Sequence, residues 1–214
     1  GGFWANAQCT SYATPYVENF DTTANGTSTN PSMPACWSYY LAPTNGTIYT
    51  SYGYTYNSTF YAYSGTKSFR MYSSSATTAS SDTMFIVSPE IQGLDSSNKQ
   101  MTFKVRTSNA IYVNDLFVGT MSDPTDNSTL TIIDTITGSD VAHVEKKWYF
   151  DAANGYNGTD KYVVLGIVHR DGVNNYAYVD DIAFESIPAC ASPIGLSTSA
   201  VTPTTATFIF NIFW

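Results

Sequence analysis

Apolar and polar residues alternate with a period of two along most of the chain, and clusters of Asn, Asp, Gly, Ser and Thr interrupt the alternation at short intervals. This pattern predicts strands over Tyr16–Phe20, Ile48–Thr55, Ser68–Tyr72, Thr83–Val87, Met101–Arg106, Ile111–Val118, Leu130–Thr135, Lys147–Asp151, Tyr162–His169 and Tyr176–Ser186. Between them, Asn25-Gly26, Asn45-Gly46, Asn157-Gly158 and Asp171-Gly172 are strong turn formers, because these residues tolerate positive φ. Helical spacing is confined to Gly138–Lys147, which is too short and too β-branched to predict a helix. Strands at this density argue for an all-β fold of two packed antiparallel sheets, a sandwich or jelly roll. Tyr162–His169 is apolar on both parities, which predicts a central strand covered on both faces or one with a loop laid across it. Near Pro188 the pattern breaks into a polar, proline-bearing stretch, and the chain then ends in an aromatic run from Phe208 to Trp214.

Composition narrows the setting. The chain has 214 residues, enough for one ample core, yet only 12% of them are charged, while Tyr contributes 17 and Phe 12. Hydroxyls and amides must carry solubility, as in extracellular β proteins. A net charge of −8 with no basic run repels a phosphate backbone, which argues against nucleic-acid binding and favours divalent cations. No apolar run is long enough to span a membrane, and no basic segment leads into an apolar one as in a signal peptide. For a secreted protein, the expectation is therefore a mature or excised segment. Cys9, Cys36 and Cys190 lack zinc spacing and allow at most one pair within a monomer. Cys9 with Cys190 is the candidate if the domain's termini meet; the alternative is three free thiols.

Two segments carry acids where strands should bury side chains: Glu18 and Asp21 in the first, Asp180 and Asp181 in the last. Buried carboxylates need a partner charge or a metal, and only 9 Lys and Arg face 17 Asp and Glu. If the first and last strands lie side by side, calcium is the natural clasp, with carbonyls from Ser64 to Ser68, including Lys67, completing its oxygen shell. Solvated strand-end acids are the plain alternative. The cluster Asp123, Asp126 and Asn127 lacks EF-hand spacing and reads as a turn.

Catalysis finds little support. His143 and His169 sit in no metal or catalytic spacing, no nucleophile elbow or phosphate loop appears, and Glu90, Glu145 and Glu185 would face one cleft only by accident of fold. A non-enzyme is expected. Trp37 and the tyrosines from Tyr39 to Tyr63 crowd one quarter of the chain, so Trp37, Tyr39, Tyr52 and Tyr54 are candidates for a ligand face that stacks on sugars or protein. The bland reading is that tyrosine replaces leucine in a sandwich with a wet rim.

Six segments in register carry a family resemblance: Pro15-Tyr16-Val17-Glu18-Asn19-Phe20-Asp21, Pro34-Ala35-Cys36-Trp37-Ser38, Ser88-Pro89 with Ile91-Gln92-Gly93-Leu94, Met101–Arg106, Val118–Asp123 and Tyr178-Val179-Asp180-Asp181-Ile182. In that order they resemble the MAM-like or cleaved-adhesin jelly-roll domain of secreted Bacteroidetes proteins. The resemblance implies a jelly roll over 15–187, with 1–14 a linker or the end of a preceding module. It makes 188–214 a linker and the truncated start of a domain similar to fibronectin type III. It also implies structural calcium on Glu18, Asp21 and Asp181, or Asp180 in its place, with carbonyls from Ser64 to Ser68. The implied role is adhesion or carbohydrate recognition on a secreted or cell-surface chain, with a glycan or cell-surface protein as partner beside neighbouring domains. A structural spacer without a glycan site and an unrecognised hydrolase are the alternatives.

Overall fold

The structure is a computed structural model that describes residues 9–42 and 50–188, together with the backbone of Gly2–Trp4, Ile194–Ser199 and Thr207–Asn211. Its strands are β1 (Gly2–Trp4), β2 (Tyr16–Glu18), β3 (Ser38–Ala42), β4 (Ser51–Asn57), β5 (Lys67–Ser73), β6 (Thr83–Val87), β7 (Lys99–Arg106), β8 (Leu116–Met121), β9 (Thr131–Ile136), β10 (Val144–Phe150), β11 (Tyr162–Ile167), β12 (Asn175–Ser186), β13 (Ile194–Ser199) and β14 (Thr207–Asn211). Short 3-10 turns join some of them, and no described helix is long and apolar enough to cross a membrane.

Two antiparallel sheets form a jelly-roll sandwich. One has the order β1-β3-β6-β11-β8-β9 and the other β10-β7-β12-β5-β4, with β2 paired to the far end of β12. Strands β13 and β14 pair with each other. The stretch Gly138–Lys147 supplies a loop and the start of β10, as its β-branched content suggests.

Period two explains the core. Inward residues Phe69 and Met71 of β5, Met101, Phe103 and Val105 of β7, and Ala177, Val179, Ile182 and Phe184 of β12 meet Met84, Ile86, Leu116, Val118, Val163 and Leu165 of the facing sheet. The doubly apolar segment is β11, which lies between β6 and β8. Its second face joins a separate buried cluster of Tyr40, Phe85, Val87, Phe117, Met121 and Val164. Gly166 lets the Phe117 ring lie on the strand: a Cβ there would stand 2.0 Å from that ring.

Strand β12 carries the feature that shapes the site. Its register with β7 shifts between Asp180 and Ala183, so Asp181 and Ile182 together oppose the single Phe103. Asp181 sits in this β-bulge at φ 47°. Beyond the bulge, Glu18 pairs with Ile182 and Tyr16 with Phe184, so the first and last of the strands predicted from sequence are neighbours.

The cysteine pairing differs from the expected one. Cys9 is bonded to Cys36, 27 residues away, which ties the entry segment to the approach to β3. The other expected partner, Cys190, lies outside the described residues. A monomer with one pair had two candidates for Cys9, and spacing alone could not choose between them.

Candidate functional site

The face of the β7-β12-β5-β4 sheet turned away from the core is built from tyrosines around a cation. On β4 the residues Ser51, Gly53 and Thr55 are buried, so Tyr52, Tyr54 and Tyr56 point outward. The same parity presents Arg70 and Tyr72 from β5, Tyr176 and Tyr178 from β12, and Lys104 and Arg106 from β7. Register aligns them in rows. Tyr54 stands opposite Arg70, Arg70 opposite Tyr178, and Tyr178 opposite Arg106, while Tyr52, Tyr72 and Tyr176 form the next row.

The rings touch in sequence, with centroids 5.0 Å apart for Tyr112 and Tyr176, 4.6 Å for Tyr176 and Tyr72, 4.8 Å for Tyr72 and Tyr52, 5.8 Å for Tyr52 and Tyr54, and 5.9 Å for Tyr54 and Tyr56. The Arg70 guanidinium lies 5.1–5.9 Å from the centroids of Tyr52, Tyr54, Tyr56, Tyr176 and Tyr178. It donates to the hydroxyls of Tyr54 at 2.9 Å and Tyr52 at 2.8 Å. Burial pushes the Tyr52, Tyr176 and Tyr178 hydroxyls above the usual phenol range, so all three are neutral. A cavity of about 350 Å³ flanks the β4 edge, lined by Tyr54, Thr55, Tyr56, Asn57 and the turn from Asn25 to Ser28.

The β4–β5 connection, residues 58–66, folds back over this face as a wall. Tyr61 stacks on Tyr178 at 4.0 Å with the planes 7° apart, and Phe60 and Tyr63 remain exposed at 65% and 51%. Arg106 donates to the Phe60 carbonyl at 2.9 Å and lies over the Phe60 and Tyr61 rings. His143 Nε2 donates to the Tyr61 carbonyl at 3.0 Å, and burial holds the His143 pKa below its ordinary value. The acids of the last strand anchor the same loop. Asp180 Oδ2 accepts from the backbone N–H groups of Tyr63 and Ser64, its Oδ1 accepts from Asp181 N, and Asp181 Oδ1 accepts from the Ser64 hydroxyl. Burial raises the Asp180 carboxyl to about 6, opposed by the N–H donors of Ser64, Asp181 and Tyr63. Asp21 reaches the far end of the loop, where its Oδ1 accepts from Thr66 N and Lys67 N.

The acids expected to hold calcium are thus gathered around one loop, but as hydrogen-bond acceptors. Glu18, paired with Ile182 beside Asp181, has its hydrogen bonds elsewhere: it follows Tyr16 on the core side of β2, accepting from Tyr16 Oη and from Phe20 N, and burial raises its carboxyl. The Lys67 ammonium donates to the carbonyls of Asp21 at 3.0 Å and Thr23 at 2.5 Å. Ser68 Oγ is buried without a hydrogen-bond partner. Among the described residues no three Asp, Glu, His or Cys side chains converge, so a calcium ion here would need loop carbonyls and water for most of its oxygens. The set therefore does not fit a calcium cage of side-chain carboxylates. Backbone N–H groups, invisible in a count of Lys and Arg, answer the burial of these acids.

Two aromatic candidates are corrected. Trp37 and Tyr39 are only 2% and 3% exposed and belong to the core; the Trp37 indole donates to Tyr16 Oη, and Tyr39 Oη accepts from Gly53 N. Tyr39 lies in β3, a strand the alternation did not reveal because Ser38, Tyr39 and Tyr40 are all buried. Tyr52 and Tyr54 do lie on the outer face, and Tyr49 falls outside the described residues. Sequence reasoning missed Arg70, Arg106, Tyr72, Tyr176 and Tyr178. Outward parity on the strands it had drawn was the available signal. The three glutamates weighed for hydrolysis are dispersed: Glu90 is near Lys161, Glu145 pairs with Lys104, and Glu185 accepts from Gln100.

No family model matches the chain, and no curated protein matches it. Solved structures do. The K2 cleaved adhesin domain of Lys-gingipain aligns with a TM-score of 0.56 at 15% identity, covering 80% of this chain and 97% of that one. The K3 and K1 cleaved adhesin domains of Lys-gingipain from Porphyromonas gingivalis W83 align with TM-scores of 0.52 and 0.51 at 16% identity, over 79% and 81% of this chain and 96% and 98% of theirs. At these identities the likeness establishes a shared fold, the jelly roll expected from the six sequence segments.

Proposed function

We propose that this chain is a non-catalytic recognition module of a secreted or cell-surface protein and that it holds a glycan against the tyrosine face. The observation that carries the reading is the connected array from Tyr112 to Tyr56, walled by Tyr61 and Phe60. Tyrosine rings offer flat apolar area at low entropic cost together with hydroxyls, which matches the mixed C–H and O–H surface of a sugar. A fold shared with domains named as cleaved adhesins supports an adhesive setting. A binding screen against immobilised polysaccharides tests it, with the wild type beside Tyr52→Ala and Tyr54→Ala. Saturable binding weakened about tenfold by either change supports the face as the site. Binding that both variants retain in full places the site elsewhere, and an empty screen leaves a structural spacer. Calcium stabilisation is a separate proposal, in which most of the ligands around Asp181 and Glu18 would be backbone carbonyls and water.

A further inference from the structure

This inference rests on the sugar-binding reading and concerns what the sugar carries. We propose that the ligand is an anionic saccharide, bearing a carboxylate or a sulfate ester, whose acid group lies over Arg70 and the Tyr52 and Tyr54 hydroxyls, with Arg106 as a neighbouring charge.

The distribution of charge points there. The chain has nine Lys and Arg and a net charge of −8, yet Arg70, Lys104 and Arg106 all project from this one face. Elsewhere Arg170 is matched by Asp115 at 2.6 Å, Lys161 by Glu90 and Asp95, and Lys146 by Asp140, while Lys67 and Lys99 are held by carbonyls and hydroxyls and Lys147 forms no ion pair among the described residues. Lys104 is matched too, by Glu145 at 2.8 Å. Arg70 and Arg106 form no ion pair among the described residues. The remaining nearby acids are already engaged, Asp180 by backbone N–H groups and Asp181 by the Ser64 hydroxyl. Two partly covered guanidiniums with aromatic neighbours and no counter-ion are what an anion stabilises.

The hydroxyls add direction. Each phenol oxygen that accepts from Arg70 keeps its own O–H as a donor, so Tyr52 and Tyr54 relay the cation outward as hydrogen-bond donors. From these neutral phenols a neutral sugar gains no charge-assisted bond; a carboxylate or sulfate, which is ionised and only accepts, does. Arg70 and Arg106 flank Tyr178 on adjacent strands, so their backbones are about 10 Å apart at the usual strand spacing. The Tyr61 ring covers Tyr178 at 4.0 Å, so an acid group would sit over Arg70 beside that wall, with Arg106, already donating to the Phe60 carbonyl, adding charge nearby.

Calorimetric titration of the whole chain with matched ligand pairs tests this: a uronate oligosaccharide against its carboxyl-reduced form, and a sulfated oligosaccharide against its desulfated form. The acidic member of at least one pair is expected to bind about tenfold tighter or more, with the advantage shrinking as salt rises. Which pair shows it distinguishes carboxylate from sulfate. Arg70→Gln should bring acidic and neutral members to parity; if that variant does not fold, Arg106→Gln should reduce the advantage, and the salt dependence of the wild type stands alone as a readout. Equal binding of both members, still weakened by Tyr54→Ala, overturns the anion preference and leaves the sugar reading intact. No binding by any member overturns both.

Discussion

Opening the Cys9–Cys36 disulfide gives the cleanest test of how the entry segment is fixed. The bond closes a loop with a separation of 27 residues that holds β2, Asp21 and the turn beside the β4 edge. The chain-entropy relation for a loop of that size gives about 3.6 kcal/mol of stabilisation at room temperature through restriction of the unfolded chain. For a protein of this length that corresponds to a fall in Tm of about 7–14 °C. The double variant Cys9→Ser, Cys36→Ser should therefore show a lower urea midpoint and a steeper denaturant dependence, because the released unfolded chain exposes more surface. Cys190→Ser should leave the midpoint unchanged, and peptide mapping under non-reducing conditions should recover Cys9 joined to Cys36. A loss below about 1 kcal/mol, which is within ordinary mutational effects, or a recovered Cys9–Cys190 peptide would refute the reasoning.

Other consequences follow from the wall of the site. Gly65 has φ 57°, and a Cβ there would stand 1.6 Å from Asp21 Oδ2, so Gly65→Ala should cost about 2–4 kcal/mol in chemical denaturation by straining the backbone and dislodging Asp21 from Thr66 and Lys67. Asp180, raised to about 6, binds its proton in the folded state over a range where the unfolded chain has released it. Its contribution to stability is therefore full below about pH 4 and is lost as pH rises through about 6. Asp180→Asn should remove that falling slope from the stability–pH profile; His143, with its lowered pKa, contributes a slope of opposite sign to both proteins and cancels in the comparison. Melting with chelator and with excess calcium separates the two accounts of the acidic corner: hydrogen bonds alone leave Tm unchanged, whereas a calcium-dependent rise that saturates is what structural calcium predicts.

The sandwich was legible because period two survives wherever a strand has one wet face. Thr83–Val87 matches its predicted bounds, and the doubly apolar Tyr162–His169 segment proved to be the covered strand β11. Predicted Ile111–Val118 slid to Leu116–Met121, since all six residues of β8 are buried and offer no alternation to phase against. The neighbourhood of the first and last strands was also legible, and with it the meeting of Asp21, Asp180, Asp181 and Ser64 around one loop. What held those acids was not, because backbone N–H donors leave no mark on composition. The tyrosine face was half visible: Tyr52 and Tyr54 stood out by crowding, whereas Trp37 and Tyr39 shared the crowd but fall on inward or fully covered positions. Arg70 could be picked out only after register set it among rings from three strands.

A crystal structure of the chain with a bound acidic oligosaccharide tests the central claim most directly. Sugar rings lying along Tyr52, Tyr54 and Tyr72, with an acid group within hydrogen-bond distance of Arg70, Arg106 or the Tyr52 and Tyr54 hydroxyls, are the predicted result. A ligand seated on the opposite sheet or at the loop ends, with the tyrosine face untouched, would contradict it.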